Sequence, residues 1–292
     1  MTHVITFVAA APELAPAPSA LAELLGRHGG AIRSETILTP GKACEYQMET
    51  AFSLQQIQQL RHALHPYRID VFQTPAQNRC KKLLLADMDS TIVVGETLDE
   101  LSDHAGVKEE VARITARAMN GEMDFHEALA LRVALLENLP ESALQQTAAQ
   151  IRLMSGAINF ISGLKKSGTT TVLVTGGFTY FAKDIAAQAG FDFVHGNQLD
   201  IKDGHLTGGV IPPVLDKQAK LSFLQDYTAK LGLSPDETMA IGDGANDLPM
   251  LEAAGLGIGY HPKPLLQEKL INIILYNDLS AALYTQGVKI SI

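Results

Sequence analysis

The sequence predicts an α/β protein: a doubly wound parallel sheet with a helical insertion after its first strand, preceded by a small α+β domain. Three observations predict it. Apolar runs without alternation, Leu83–Ala86 and Val172–Val174 among them, read as strands buried on both faces of a parallel sheet. Residues 97–168 carry apolar side chains at helical steps, with nothing strand-like between them. Residues 1–78 show the order β-α-β-β-α-β of a ferredoxin-like split βαβ unit. Residues 79–96 and 169–292 then form the sheet domain, and residues 97–168 its cap.

In the first unit, Val4–Val8 is a strand, and a proline-rich stretch at 12–18 leads into a helix from Ser19 that Gly29-Gly30 ends. Strands near 31–38 and 43–51 flank Pro40-Gly41. Ser53 caps an amphipathic helix through Leu64, and Arg68–Phe72 is the last strand. Thr74–Asn78, TPAQN, reads as a linker. In element order alone, the unit resembles ACT-type regulatory domains, and no residue in it supplies a recognisable ligand site.

The buried strand Leu83–Ala86 stops at Asp87-Met88-Asp89. Residues two apart leave a strand on the same side, and ligands collect beyond the carboxyl ends of such strands. Two acids held there repel unless a cation lies between them, and Mg²⁺ prefers carboxylate and phosphate oxygens. The helical stretch that follows, including a helix over Glu141–Leu153, would sit over the strand ends as a lid. Val172–Thr175 is a second buried strand, ending in a hydroxyl and Gly176-Gly177. A helix over Tyr180–Ala189 stops at Gly190, and Leu199–Thr207 is a hairpin turning at Asp203-Gly204. After a helix over Lys217–Leu231, the strand Thr238–Gly242 ends in Asp243, Asn246 and Asp247. Short strands near 255–259 and 271–275 complete the alternation that implies a doubly wound sheet.

Composition bounds the chemistry. A length of 292 residues suits about two domains, and 46% hydrophobic residues suffice for a sizeable core. The net charge of −9 argues against nucleic acid or an acidic membrane as a general partner, so an anionic substrate must be drawn by local donors and metal. Cys44 and Cys80 have neither metal-ligand spacing nor the density of a disulfide scaffold. The apolar start lacks a charged leader region, and no apolar run is long enough for a bilayer span, so the expectation is a soluble cytoplasmic protein. The histidines are scattered without metal spacing, and Gly255–Gly259 lacks the spacing of a dinucleotide fingerprint.

Taken in order, Asp87-x-Asp89-Ser-Thr, Thr175-Gly-Gly, Lys220 and Gly-Asp243-Gly-Ala-Asn246-Asp247 resemble the motif set of the haloacid dehalogenase-like phosphatases, over about residues 81–260. More narrowly, Glu96, Met119, Phe125 and Arg132 match the substrate positions of the phosphoserine phosphatases within that family. The resemblance implies Mg²⁺-dependent hydrolysis of L-phosphoserine, the last step of serine biosynthesis, with Asp87 as nucleophile and Asp89 as general acid and base. It implies a metal held by Asp87, the Asp89 backbone carbonyl and Asp243. Thr175, Gly176, Lys220 and Asn246 would bind phosphate, supported by Gly177 and Asp247. Glu96 would receive the substrate ammonium, Arg132 would clamp its carboxylate, and Met119 and Phe125 would cover the site.

Thr175 departs from the pattern, since many relatives carry Ser there; it keeps the hydroxyl and adds a methyl. Lys217 rivals Lys220, but Lys220 stands 23 residues before Asp243, the family spacing. Singly, Met119 and Phe125 read as core, Arg132 as a solvated helix face and Asn246-Asp247 as a helix cap; the joint spacing carries the functional reading. Two rival functions remain at this level. One is another small-molecule phosphatase or phosphotransferase of the same fold, because lids diverge more than catalytic strands. The other is an amino-acid-sensing regulatory protein with a vestigial site, against which every expected catalytic position is filled. Exposed edges of split βαβ sheets often pair, so a homodimer is the expected assembly.

Overall fold

A computed structural model describes residues 2–119 and 122–287, with the side chains of Met119 and Lys217 outside that description. The first unit comprises β1 (His3–Ala9), α1 (Pro18–Arg27), β2 (Ile32–Thr39), β3 (Ala43–Met48), α2 (Leu54–Leu64) and β4 (Ile69–Pro75). Its strands form an antiparallel sheet in the order β2-β3-β1-β4. Helix α2 starts where the sequence says it should. Ser53 Oγ accepts from the Gln56 N–H while the Gln56 side chain accepts from the Ser53 N–H, a reciprocal cap. One sheet face buries Ile5, Phe7, Tyr46 and Val71 against Leu25, Ile57 and Leu60 of the two helices. The expected linker at 74–78 begins later, because Thr74 is buried and paired with Val4 inside β4.

The second sheet has the order β11-β10-β9-β5-β6-β7-β8. Its strands are β5 (Leu83–Ala86), β6 (Thr170–Phe178), β7 (Phe193–Lys202), β8 (His205–Ile211), β9 (Thr238–Gly242), β10 (Leu256–Tyr260) and β11 (Ile273–Ile274). All neighbours run parallel except β8, which pairs antiparallel with β7 at the sheet edge. That edge follows from the Asp203-Gly204 turn, where both residues have positive φ as a tight hairpin demands. Leu83 and Leu85 join one buried cluster and Leu84 and Ala86 the other, so β5 is covered on both faces. Ala86 lies between Leu173 of β6 and Ile241 of β9, which brings three motif-bearing strand ends to one rim.

Between β5 and β6 run α3 (Thr97–His104), α4 (Lys108–Met119), α5 (Phe125–Ala134), α6 (Glu141–Gln150) and α7 (Ala157–Lys166). The helix expected through Leu153 ends at Gln150, since Leu153 instead bridges to Val93. Helix α7 packs on β6 and on a 3₁₀ segment, Leu279–Gln286, so it belongs with the sheet and the lid ends before it. The remaining helices are α8 (Thr179–Ala189), α9 (Lys217–Lys230), α10 (Leu248–Ala253) and α11 (Pro264–Lys269). Among the described residues no helix is long and apolar enough to cross a membrane.

The two sheets share a core. Val8, Leu38, Ala43 and Phe72, on the other face of the first sheet, join the same buried cluster as Tyr260 and Tyr284. A buried carboxylate pins this contact. Asp70 of β4 accepts from the backbone N–H groups of Leu275 (2.8 Å) and Asn277 (3.0 Å) and from Asn277 Nδ2 (2.8 Å). Asn277 in turn donates to Val8 O and accepts from the Lys42 ammonium.

Candidate active site

The Asp87 N–H extends the ladder one residue past β5, bonding to Ile241 O at 3.0 Å. Its carboxylate therefore leaves the rim beside those that follow β9. Carboxylate oxygens of Asp87, Asp243 and Asp247 lie within 4.8 Å of one another, and all three residues are buried. Lys220, in the first turn of α9 and 3% exposed, donates to Asp87 Oδ1 and, at 2.6 Å, to Asp247 Oδ1.

Burying like charges together is costly unless something compensates. Burial, then the neighbouring Asp247, push the Asp87 carboxyl well above its usual range, with Lys220 pulling against them. Burial lowers the Lys220 pKa, but Asp247 and Asp87 outweigh it and hold the ammonium above its ordinary value. Burial also raises Asp243, opposed by Lys263, whose ammonium lies 3.2 Å from Asp243 Oδ2. Three buried carboxylates facing one buried ammonium leave an excess of anionic oxygen, the donor set a hard divalent cation takes.

Asp247 stands at the N-cap position of α10 but does not cap it with its side chain, so the helix-cap expectation fails there. It is fully buried and accepts instead from Lys220 and from the Gly244 N–H at 3.0 Å. Gly242 is required by this arrangement: a Cβ there would come 2.5 Å from Asp247 Cγ. Asn246 is exposed at the mouth, its amide nitrogen 3.4 Å from Asp247 Oδ1.

Across the rim, buried Thr175 donates to Asp89 Oδ2 at 3.2 Å, and its hydroxyl oxygen accepts from the Gly177 N–H at 2.8 Å. Asp89 Oδ1 accepts from the Thr97 N–H at 2.7 Å, so this acid also caps the first lid helix. Burial raises the Asp89 pKa, and the hydrogen bonds from Thr97 and Thr175 pull it back. Phe125 lies over Gly176, where a Cβ would be 3.5 Å from the ring edge. The inserted helices thus meet the end of β6 directly at Gly176.

Two turns after Phe125 on α5, Arg132 is half-buried and donates through Nε to Ala128 O at 3.1 Å. Burial lowers its pKa, and the carboxylates of Asp99 and Glu96 pull it back. Glu96 accepts from Ser90 Oγ at 2.9 Å. It retains solvent contact, yet the protein crowded around its carboxyl, and Asp89 after that, push the group up to about 7. The Met119 side chain lies outside the described residues, as does that of Lys217.

One site residue escaped the sequence reading. Lys263 anchors Asp243 twice, through its ammonium and through its N–H to Asp243 O at 2.9 Å. The available signal was position: Lys263 follows β10, the parallel neighbour of β9, so it emerges at the same rim.

Residues 84–252, more than half of the chain, match the model of the haloacid dehalogenase-like hydrolase family. The chain is 45% identical over 201 residues to the phosphoserine phosphatase of Haemophilus influenzae, a match covering 69% of this chain and 64% of that protein. The match to the Archaeoglobus fulgidus phosphoserine phosphatase likewise spans less than two thirds of that protein, 61%. Among solved structures, a HAD family hydrolase from Salmonella enterica serovar Typhi superposes with a TM-score of 0.84 at 26% identity, covering 97% of this chain and 98% of that one. A phosphoserine phosphatase described as a phospho-aspartyl intermediate analogue matches at 41% identity and a TM-score of 0.66, covering 70% of this chain and 98% of its own. With buried carboxylates, a lysine and a threonine gathered on one rim, and with these likenesses, the chain belongs to the haloacid dehalogenase-like hydrolase family.

Proposed function

We propose that this protein is a phosphoserine phosphatase that hydrolyses L-phosphoserine to L-serine and phosphate, with Mg²⁺ as its metal. The observation that carries the reading is the meeting of the Asp87, Asp243 and Asp247 carboxylates at one rim, with buried Lys220 paired to Asp87 and Asp247. The likeness to proteins named phosphoserine phosphatase supports the same substrate. Such an enzyme would act in the cytoplasm, closing serine biosynthesis.

Asp87, Asp243 and the Asp89 carbonyl would hold the metal, with Asp247 within reach. When bound, it offsets the negative charge that otherwise keeps a carboxylate from approaching a phosphate dianion. An Asp87 oxygen attacks phosphorus in line with the serine oxygen. The bond from phosphorus to that oxygen breaks, Asp89 gives it a proton, and Asp87 is left as an aspartyl-phosphate. Asp89 then takes a proton from water as that water attacks phosphorus, and the bond to Asp87 breaks. Lys220, the Thr175 hydroxyl, the Gly176 N–H and Asn246 hold the remaining phosphoryl oxygens, where charge spreads in the transition state. Glu96 meets the substrate ammonium, Arg132 its carboxylate, and Phe125 excludes water.

The test is a substrate panel with an active-site variant. L-phosphoserine should exceed phosphothreonine, sugar phosphates and p-nitrophenyl phosphate in kcat/KM by at least about a hundredfold, a gap of about 3 kcal/mol. Asp87→Asn should abolish turnover. A flat panel would retire the substrate, and turnover surviving in Asp87→Asn would retire the mechanism.

A further inference from the structure

Helix α11 has one end in the active site and the other in the N-terminal domain. At and just past its C-terminal end, three donors from α2 take backbone carbonyls, among them that of Glu268, which the helix terminus leaves without an intrahelical partner. Arg61 Nη1 donates to Leu270 O at 3.1 Å, Arg61 Nη2 donates to Ile271 O, and Gln58 Nε2 donates to Glu268 O at 3.2 Å. At the other end, Lys263 is the N-cap residue and holds both the carbonyl and the carboxylate of Asp243.

The segment between is short and stiff. Six helical residues span about 9 Å. Lys263 stands between Pro262 and Pro264, and a residue before proline is confined to extended backbone. Gln267 Nε2 donates back to Pro262 O at 2.7 Å, tying the helix to the turn that precedes it. A Cβ on Gly259 would come 3.0 Å from the Pro262 ring, so that ring rests directly on β10. A displacement of the α11 C-terminus therefore has few ways to dissipate before it reaches Lys263.

We infer that Arg61 is a positioning residue: by gripping the far end of α11, the N-terminal domain sets the place of Lys263 and, through it, of the carboxylate of Asp243. The inference rests on the reading of Asp243 as a metal ligand. In this arrangement the appended domain is a brace that holds Lys263 against Asp243, where the ammonium competes with a divalent cation for the carboxylate.

The experiment is a double-mutant cycle on Arg61→Met and Lys263→Met in the full-length chain, read by Mg²⁺ affinity from calorimetric titration. Lys263→Met should bind Mg²⁺ several-fold more tightly, because an ammonium no longer competes for the carboxylate. Arg61→Met should shift affinity in the same direction by two- to threefold, and should add nothing in the Lys263→Met background. Independent sites at opposite ends of a helix would instead add. Arg61→Lys, which keeps a donor for one carbonyl, should recover part of the shift. An Arg61→Met affinity equal to wild type, or an equal shift in both backgrounds, overturns the brace. If the wild-type protein binds no Mg²⁺, the metal reading fails, and hydrogen exchange then judges the brace alone. Arg61→Met should speed exchange at the Lys263 N–H while β1 and α2 stay protected; unchanged protection at Lys263 overturns the inference.

Discussion

Lowering the pH from about 8 to about 6 should strip the substrate ammonium of its counter-charge at Glu96. The carboxyl is pushed up to about 7, so it is about nine-tenths ionised at pH 8 and about one-tenth ionised at pH 6. A raised carboxyl pKa means the charged form is present above that value and lost below it. The consequence is about a tenfold fall in the Glu96 contribution to kcat/KM across those two units. Phosphoserine also titrates near pH 6, and Asp87 and Asp89 titrate as well, so a single profile would mix several protons. The ratio of wild type to Glu96→Gln removes everything the two share. At pH 8 the ratio should be about 10 to 100, the worth of one hydrogen bond to a charged group. At pH 6 it should fall about tenfold, to about 1 to 10. The assay is phosphate release at low substrate with saturating Mg²⁺ at three pH values. A ratio that stays constant from pH 6 to pH 8 would refute the pairing of Glu96 with the ammonium, whatever the overall activity.

Other perturbations address separate links. Asp70→Asn places an NH₂ against N–H donors whichever way the amide turns, since both carboxylate oxygens accept bonds. The cost should be about 3 kcal/mol, seen as a lower urea midpoint with an unchanged slope, and a loss below about 1 kcal/mol would discount the clamp. Gly242→Ala drives a methyl into Asp247 and away goes its bond to Lys220. The expected outcome is about 1–3 kcal/mol of destabilisation with at least a tenfold lower kcat, and unchanged kcat contradicts the role of Asp247. Asp89→Asn should lower phosphoserine turnover by about 10² to 10⁴. Formation of phosphoenzyme from p-nitrophenyl phosphate, whose leaving group needs no proton, should survive; if it falls equally, Asp89 is not the acid.

The chemistry-bearing strand ends were legible because buried parallel strands announce themselves as continuous apolar runs and stop abruptly at polar residues. Asp87, Thr175 and Asp243 each follow such a run, and adjacency of β6, β5 and β9 brought them together. Capping at Ser53 and the turn at Asp203-Gly204 were equally local, hence equally readable. What escaped was long-range. Lys263 carries no motif and gains meaning only when β10 docks beside β9. Asp70 and Arg61 look like ordinary strand and helix residues until their partners, about two hundred positions away, fold against them. Helix α7 and the 3₁₀ segment at Leu279–Gln286 owe their placement to each other: Gly163 leaves room for the side chain of Leu283, which no periodicity reveals.

That last segment has a consequence for how the molecule comes into being. The first sheet is synthesised early, but Val8 and Phe72 on its second face share a cluster with Tyr284, more than two hundred residues downstream of either. A nascent chain therefore emerges with an apolar surface that nothing yet made can cover. Contacts so distant in sequence slow folding and leave the chain open to aggregation meanwhile. Ribosome-bound chains halted before residue 270 should accordingly recruit holdase chaperones, and chains released from the ribosome at full length should lose them.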